Sequence, residues 1–148
     1  MFLFARVALA AEPITMTEVL PSPPDAVRAA LAEAMAAGPM APDVLSLEVL
    51  ARGRCDTLRA TVGSRWAPMS YVYERCPTAT GWREALVQSD AFDAYEITWE
   101  LLPDAAGTRV SYTVHVEPRL PLPDGYVASR TRASMKTVLA TLAARLAR

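Results

Sequence analysis

Two alternating runs joined by a turn, followed by a long amphipathic tail, constrain the fold of this chain more than any other feature. The runs occupy residues 92–118 and flank a Pro-Asp-Ala-Ala-Gly turn, which is the pattern of a β-hairpin. The tail, residues 124–148, places these side chains on one helical stripe: Val127, Thr131, Met135, Val138, Leu139, Leu142 and Leu146. The pattern predicts a β-meander closed by one long C-terminal helix, with a pocket for an apolar ligand between helix and sheet.

The whole chain has the pattern of an α+β domain with the order β-α-β-β-β-β-β-β-α. Residues 12–20 alternate and end at Pro21, and we expect Ser22 to cap a helix that has Pro23 at its first position. The apolar residues of that helix share one face: Val27, Ala30, Leu31, Ala34 and Met35. Six strand patterns begin at Val44, and the connections between them are short enough to join antiparallel neighbours.

Length and charge limit the classes of function. A chain of 148 residues fits one domain with a substantial core. Its formal net charge of −1 gives no general attraction to polyanions, so we predict no nucleic-acid partner. No apolar run approaches the roughly 20 residues that a membrane-spanning helix needs, although transient contact with a membrane is compatible with the sequence.

Residues 1–11, M-F-L-F-A-R-V-A-L-A-A, are an apolar leader that we separate from the domain proper, residues 12–148. Ala8-Leu9-Ala10 resembles the small-x-small site at which export signals are cleaved. However, the one basic residue of the segment, Arg6, lies inside the apolar run and not before it. We therefore expect a cytoplasmic protein. The alternative is an exported protein whose true start lies upstream of Met1.

Four stretches of the sequence resemble the START-like superfamily, the helix-grip fold shared by polyketide cyclases, lipid-transfer domains and coenzyme-Q-binding proteins. They are V-L-P-S-P-P-D-A-V at 19–27, Y-E-I-T-W-E-L-L-P at 95–103, G-T-R-V-S-Y at 107–112 and E-P-R-L-P-L-P at 117–123. The resemblance covers nearly everything from Ile14 onward. It implies a curved antiparallel sheet of about seven strands wrapped around the C-terminal helix, a fold that serves many ligands.

The stripe of the C-terminal helix is uneven, and this locates the expected cavity. Its first half carries small or polar-tipped residues and its second half is rich in leucine, so the space should lie under residues 126–135. Inward tyrosines on the strands would supply apolar area together with a directional hydroxyl group. The ligand-binding residues that we predict are Tyr71, Tyr73, Tyr95, Trp99, Tyr112, Val127, Thr131, Ser134 and Met135. The alternative is a packed core in which the aromatic residues of the sheet fill this space.

Few residues have the chemistry of a catalytic or metal site. His115 is the one histidine and alternates against apolar neighbours, so we expect it to face solvent; we predict no metal and no other cofactor. Glu84 would be a buried acid or base if its face of the strand pointed inward. Because Ala85 and Val87 form an equally plausible inward face, we expect Glu84 at the surface.

The predicted function is binding or transport of a small hydrophobic ligand, such as a lipid, a quinone or a polyketide-like molecule. The alternative is a cyclase, aromatase or dehydratase that works in the same cavity. Catalysis requires titratable groups that converge on a reacting atom, and the predicted lining offers tyrosines and at most one glutamate. The sequence favours the carrier and leaves the enzyme open.

Cys55 and Cys76 raise the question of a disulfide. If their strands pair around the loop at 63–68, residues whose numbers sum to about 131–132 face each other, within reach of the Cα separation of roughly 4.4–6.8 Å that a disulfide needs. We nevertheless expect two free thiols, because the leader is not a convincing export signal. A bridge would favour the exported alternative.

Overall fold

The computed structural model describes residues 12–64 and 66–148, so the predicted leader at 1–11 lies outside the described residues. Within them, seven strands and two helices follow in the predicted order. They are β1 (Ile14–Leu20), α1 (Pro24–Ala37), β2 (Val44–Ala51), β3 (Asp56–Gly63), β4 (Pro68–Pro77), β5 (Gly81–Ser89), β6 (Phe92–Asp104), β7 (Gly107–Pro118) and α2 (Asp124–Leu146).

All seven strands form one antiparallel sheet with the order β1-β7-β6-β5-β4-β3-β2. The predicted hairpin is its longest ladder, with Asp104 opposite Gly107 at the turn and Phe92 opposite Pro118 at the open end. Gly107 has a φ of +137°, and a Cβ atom there would collide with the carbonyl oxygen of Leu20. Glycine is therefore required where the β6–β7 turn meets the end of β1.

The edge strand β2 departs from the simple alternation that the sequence suggests. Its register with β3 shifts between Val44 and Ser46 and again between Val49 and Ala51. These irregularities leave Leu45 exposed, whereas Val44 and Leu47 pack against the inward face of the sheet. Bulges of this kind bend and twist a strand, which helps the sheet to curl and protects its edge from pairing with another chain.

The start of α1 corrects one local expectation. Pro23 occupies the N-cap position without a capping side chain, and the helix begins at Pro24, so Ser22 is not the cap. Ser22 instead offers its carbonyl oxygen to the buried hydroxyl group of Thr108, which donates a hydrogen bond of 2.7 Å. This bond ties the entry of α1 to β7.

Both helices pack on one side of the sheet around the main core. Helix α2 contacts α1, β1 and β7 and buries Met135, Val138, Leu139 and Leu142. Together the curved sheet and the long closing helix confirm the predicted helix-grip α+β fold. Among residues 12–64 and 66–148, no helix is both long and apolar enough to cross a membrane.

Cys55 and Cys76 form a disulfide, so the expectation of two free thiols was wrong. The β3–β4 ladder pairs Asp56 with Arg75, and continuing it by one residue brings the cysteines opposite each other with their Cα atoms 4.3 Å apart. The predicted pairing of the two strands around the loop at 63–68 is confirmed, and it is better evidence about the bridge than the leader is. Because side chains alternate along a strand, the bridge lies on the face opposite to Arg75.

Candidate functional site

The five predicted aromatic residues of the sheet all lie on its inward face, in two groups. Tyr71, Tyr73 and Tyr95 pack together with Phe92, with ring centroids 4.8–5.8 Å apart. Trp99 and Tyr112 stack face to face across the β6–β7 ladder, with centroids 4.0 Å apart. The period-2 alternation of β4, β6 and β7 aims these rings into the concave side of the sheet.

A buried ion pair lies beside the tyrosines. Glu84 on β5 is 5% exposed, and its Oε2 lies 3.3 Å from Nε of Arg75 on β4. The hydroxyl group of Tyr95 donates a 2.8 Å hydrogen bond to Oε1 of Glu84, and a terminal nitrogen of Arg75 donates a 3.3 Å hydrogen bond to the hydroxyl oxygen of Tyr73. These four residues form one hydrogen-bonded cluster, which we call the polar cluster.

The expectation of a surface position for Glu84 was therefore wrong. Across β5–β6 it pairs with Ile97, which faces inward, and across β4–β5 it pairs with Arg75. The turn at 78–81 contained the missing signal, because Arg75 and Glu84 lie equally far from its centre in the sequence. A buried carboxylate requires a partner, and the facing strand supplies a guanidinium group at the matching position.

Burial and the negative charge of Glu84 control ionisation in this region. Burial, followed by the Glu84 carboxylate, raises the pKa of Tyr73 and of Tyr112 far above the ordinary value for a phenol. Burial alone would lower the pKa of Arg75, but the attraction of Glu84 and the nearby tyrosines outweighs it, so that the pKa is raised. At neutral pH the tyrosines are therefore neutral hydrogen-bonding groups and Arg75 is a permanent cation.

A small inner cavity of about 60 Å³ adjoins the polar cluster. Tyr73, Arg75, Glu84 and Tyr95 border it on one side, and the stacked pair of Trp99 and Tyr112 borders it on another. Met35 of α1 and Val138 of α2 also border it. The cavity has room for a few water molecules or for one end of a ligand.

A second and much larger cavity, which we call the outer groove, has a volume of about 800 Å³. Its apolar walls come from β1, β7, the β7–α2 connection and the first half of α2: Ile14, Val114, Val116, Leu120, Leu122, Val127 and Ala128, with Thr131 beside them. Carboxylates of Glu12, Asp93, Glu117 and Asp124 border it, together with Arg132. The groove lies beside the helical segment that the uneven stripe indicated, and its volume is within the usual range for ligand pockets.

The predicted ligand-binding residues are divided between these cavities. Val127 and Thr131 border the outer groove, whereas Tyr73, Tyr95, Trp99 and Tyr112 border the inner cavity. Tyr71, Ser134 and Met135 border neither: Tyr71 packs in the aromatic group, Ser134 is half-buried, and Met135 is 1% exposed within the main core. Their role in binding stays a prediction.

The sequence did not predict the residues of the outer groove that are brought together by pairing of distant strands. Ile14 and Val114 meet because β1 pairs with β7, at a separation of 100 residues in the sequence. Leu120 and Leu122 lie in a connection whose direction no periodicity reveals. The ion pair of Arg75 and Glu84 was also not predicted, because the sequence pattern of each strand alone does not show that the two residues face each other.

His115 borders neither cavity. It lies on the outer face of β7, where its Nε2 atom is 3.5 Å from a carboxylate oxygen of Glu117 and makes no hydrogen bond to any described residue. In the part of the chain that the structure describes, no group of three or more His, Cys, Asp or Glu side chains could hold a metal ion.

The chain is similar to known proteins both in sequence, through a family model, and in structure. The family model described as polyketide cyclase / dehydrase and lipid transport matches residues 13–147. No curated protein matches the sequence. Among solved structures, TTHA0849 from Thermus thermophilus is 26% identical with a TM-score of 0.75, over 91% of this chain and 97% of that one.

Two further structures share the fold at lower identity. The STAR-related lipid transfer protein from Xanthomonas axonopodis is 20% identical with a TM-score of 0.66, over 92% of this chain and 86% of that one. The Zhui aromatase/cyclase from a Streptomyces species is 14% identical with a TM-score of 0.66, over 91% and 90% of the two chains. One architecture thus serves a lipid carrier and an enzyme, so the site itself has to distinguish them.

Proposed function

The chain belongs to the polyketide cyclase / dehydrase and lipid transport family, and from this premise we propose that it binds or carries a small hydrophobic ligand between the sheet and α2. The outer groove is the observation that carries the proposal. It combines a volume of about 800 Å³ with side walls of aliphatic residues from β1, β7 and α2. Small-molecule sites are usually concave and combine apolar walls with polar groups, and the groove has both, with five charged residues at its border.

Charge at the groove limits the ligand class. Four carboxylates border the groove against one guanidinium group, Arg132. One of the four, Asp93, is already paired with Arg119 at 3.2 Å. An anionic head group would meet net repulsion there, so among lipid-, quinone- and polyketide-like ligands a neutral molecule fits better than an anionic one.

Thr131→Trp tests the proposal by filling the groove from α2. We expect the variant to fold and to bind the uncharged fluorescent probe N-phenyl-1-naphthylamine at least about tenfold more weakly than the parent, because the indole ring occupies the space that the probe needs. Ser129→Trp is the matched control, since it places the same ring at an exposed position of the same helix that does not border the groove. Equal probe affinity in Thr131→Trp and Ser129→Trp would contradict ligand binding in the outer groove.

The polar cluster supports a second candidate function, cyclisation or dehydration of a carbonyl-rich substrate. Glu84 is placed to act as a base, and Arg75 and the phenols are placed to stabilise the oxygen of an enolate. The test is incubation with a linear poly-β-ketone thioester, followed by mass spectrometry for loss of water. An enzyme should lose this turnover in Glu84→Gln and still bind the neutral probe, whereas a carrier should show no turnover in either form.

The disulfide bears on the compartment in which the protein works. Bridges persist mainly in oxidising environments, so Cys55–Cys76 supports the exported alternative over a cytoplasmic location.

A further inference from the structure

The outer groove and the inner cavity border successive parts of α2, and one position of the buried stripe, Met135, lies between those parts. Thr131 borders the groove and Val138 borders the inner cavity. Met135 lies one turn from each on the same face of the helix, because residues three and four apart are neighbours on a helix surface. It is 1% exposed.

The sheet shows the same order opposite the helix. Val114 borders the groove and Tyr112 borders the inner cavity, and they are adjacent inward positions of β7 about 7 Å apart. Met135, Val114 and Tyr112 belong to one buried cluster. Along α2 one buried stripe position lies between the borders of the two cavities, and along β7 their borders are successive inward positions.

We propose that the outer groove and the inner cavity are two ends of one ligand site, with Met135 as the partition, and that a ligand spanning both is a neutral apolar molecule whose inner end carries a hydrogen-bond-accepting oxygen. This inference rests on the proposed ligand-binding function. It assigns to Met135 the control of how deep a ligand enters.

Methionine suits a movable partition. Its side chain is unbranched and has three rotatable bonds, so a change of rotamer can move its end without moving the helix. The neighbouring positions of the stripe are less adaptable, since Val138 is β-branched and stiff. A ligand pressing inward from the groove would displace Met135 first.

The hydrogen-bonding groups at the inner end determine the chemistry of the ligand. The hydrogen bonds of the polar cluster give each carboxylate oxygen of Glu84 one donor, and they use neither the Tyr112 hydroxyl group nor the second terminal nitrogen of Arg75. Tyr73 accepts a hydrogen bond from Arg75, which leaves its own proton free to donate. Unused N–H and O–H donors therefore remain beside the inner cavity, and a ketone or similar oxygen can accept from them.

Met135→Ala is the central test, with a ligand pair that differs in the inner group. Undecan-2-one and undec-1-ene have the same chain length, and displacement of N-phenyl-1-naphthylamine measures the affinity of each. Opening the partition should raise the preference for the ketone over the alkene by about 3- to 10-fold relative to the parent, the size of one neutral hydrogen bond. Adding Tyr112→Phe, which keeps the ring on Trp99, should reduce that gain, because it removes one of the donors beside the inner cavity.

Leu142→Ala is the matched control, because Leu142 is equally buried on the same stripe and borders neither cavity. It should leave the preference for the ketone unchanged. If Met135→Ala does not fold, Met135→Val makes a smaller opening and provides the same comparison.

The outcomes separate this inference from the proposed function. A folded Met135 variant that binds the probe with the parent's ketone preference would overturn the partition and leave ligand binding standing. Failure of the parent to bind the probe at all would overturn both.

Discussion

At Glu84 two energetic terms oppose each other. Removing a carboxylate from water is costly, and its attraction to Arg75 and its hydrogen bond from Tyr95 offset that cost. The carboxylate and guanidinium side chains are 7% and 12% exposed, so water screens the pair little. The pair is therefore sensitive to the loss of either partner.

Glu84→Gln should lower the free energy of unfolding by about 3–5 kcal/mol, because it leaves the Arg75 cation buried without a counter-charge. Urea unfolding measures the change. Glu96→Gln is the control: Glu96 forms an exposed pair with Arg83, so its loss should cost about 0–1 kcal/mol. Equal losses of unfolding free energy in Glu84→Gln and Glu96→Gln would show that Glu84 is hydrated and that it does not form a buried ion pair with Arg75.

Whether a single residue could be placed from the sequence depended on how clear its strand pattern was. Tyr95, Trp99 and Tyr112 lie in long strands whose alternation leaves one inward face, and they were placed correctly. Strand β5 offers two faces of similar polarity, and the choice fell on the wrong one: Val87 is exposed and Glu84 is buried. Tertiary pairing with Arg75 decided that orientation, and no property of β5 alone could.

At the scale of elements, the second half of α2 fastens the helix to the core. Leu142 is fully buried among residues of α1, β1 and β7, whereas Leu146 packs at the margin of the same cluster. Leu142→Ala should therefore cost about 2–5 kcal/mol of unfolding free energy through lost burial and a residual cavity. Leu146→Ala should lower the free energy of unfolding by a smaller amount. Thermal and urea unfolding check both, and a melting curve equal to the parent's for Leu142→Ala would mean that α2 does not grip the sheet.

Elements were predicted well where local chemistry determines them and poorly where neighbours do. The order and approximate bounds of all nine described elements follow from periodicity, prolines and turns. The irregular β2 and the true cap of α1 do not, because the register of β2 shifts twice against β3 and the carbonyl oxygen of Ser22 accepts a hydrogen bond from Thr108 on β7. Both departures arise from contacts with another strand and not from the local sequence pattern.

At the scale of the molecule, the sequence predicted a cavity but not its division. The groove needs β1 beside β7, and the inner cavity needs β4, β5, β6 and both helices together. Non-local pairings of this kind leave no periodic trace in a single sequence. The division explains why the nine predicted ligand-binding residues do not surround one space.

The disulfide joins β3 to β4 on the outer face, far across the sheet order from the strands that line the outer groove. It links positions separated by 21 residues, and a loop of about that size contributes roughly 3 kcal/mol by restricting the unfolded chain. The double variant Cys55→Ser/Cys76→Ser should lower the free energy of unfolding by about that amount and leave the affinity for N-phenyl-1-naphthylamine unchanged, since β1, β7 and α2 keep their packing. Urea unfolding and probe titration measure the two effects. Mass measurement after alkylation without reductant tests the bridge itself: two modified thiols in the parent would remove the bridge, and with it the support for an exported protein.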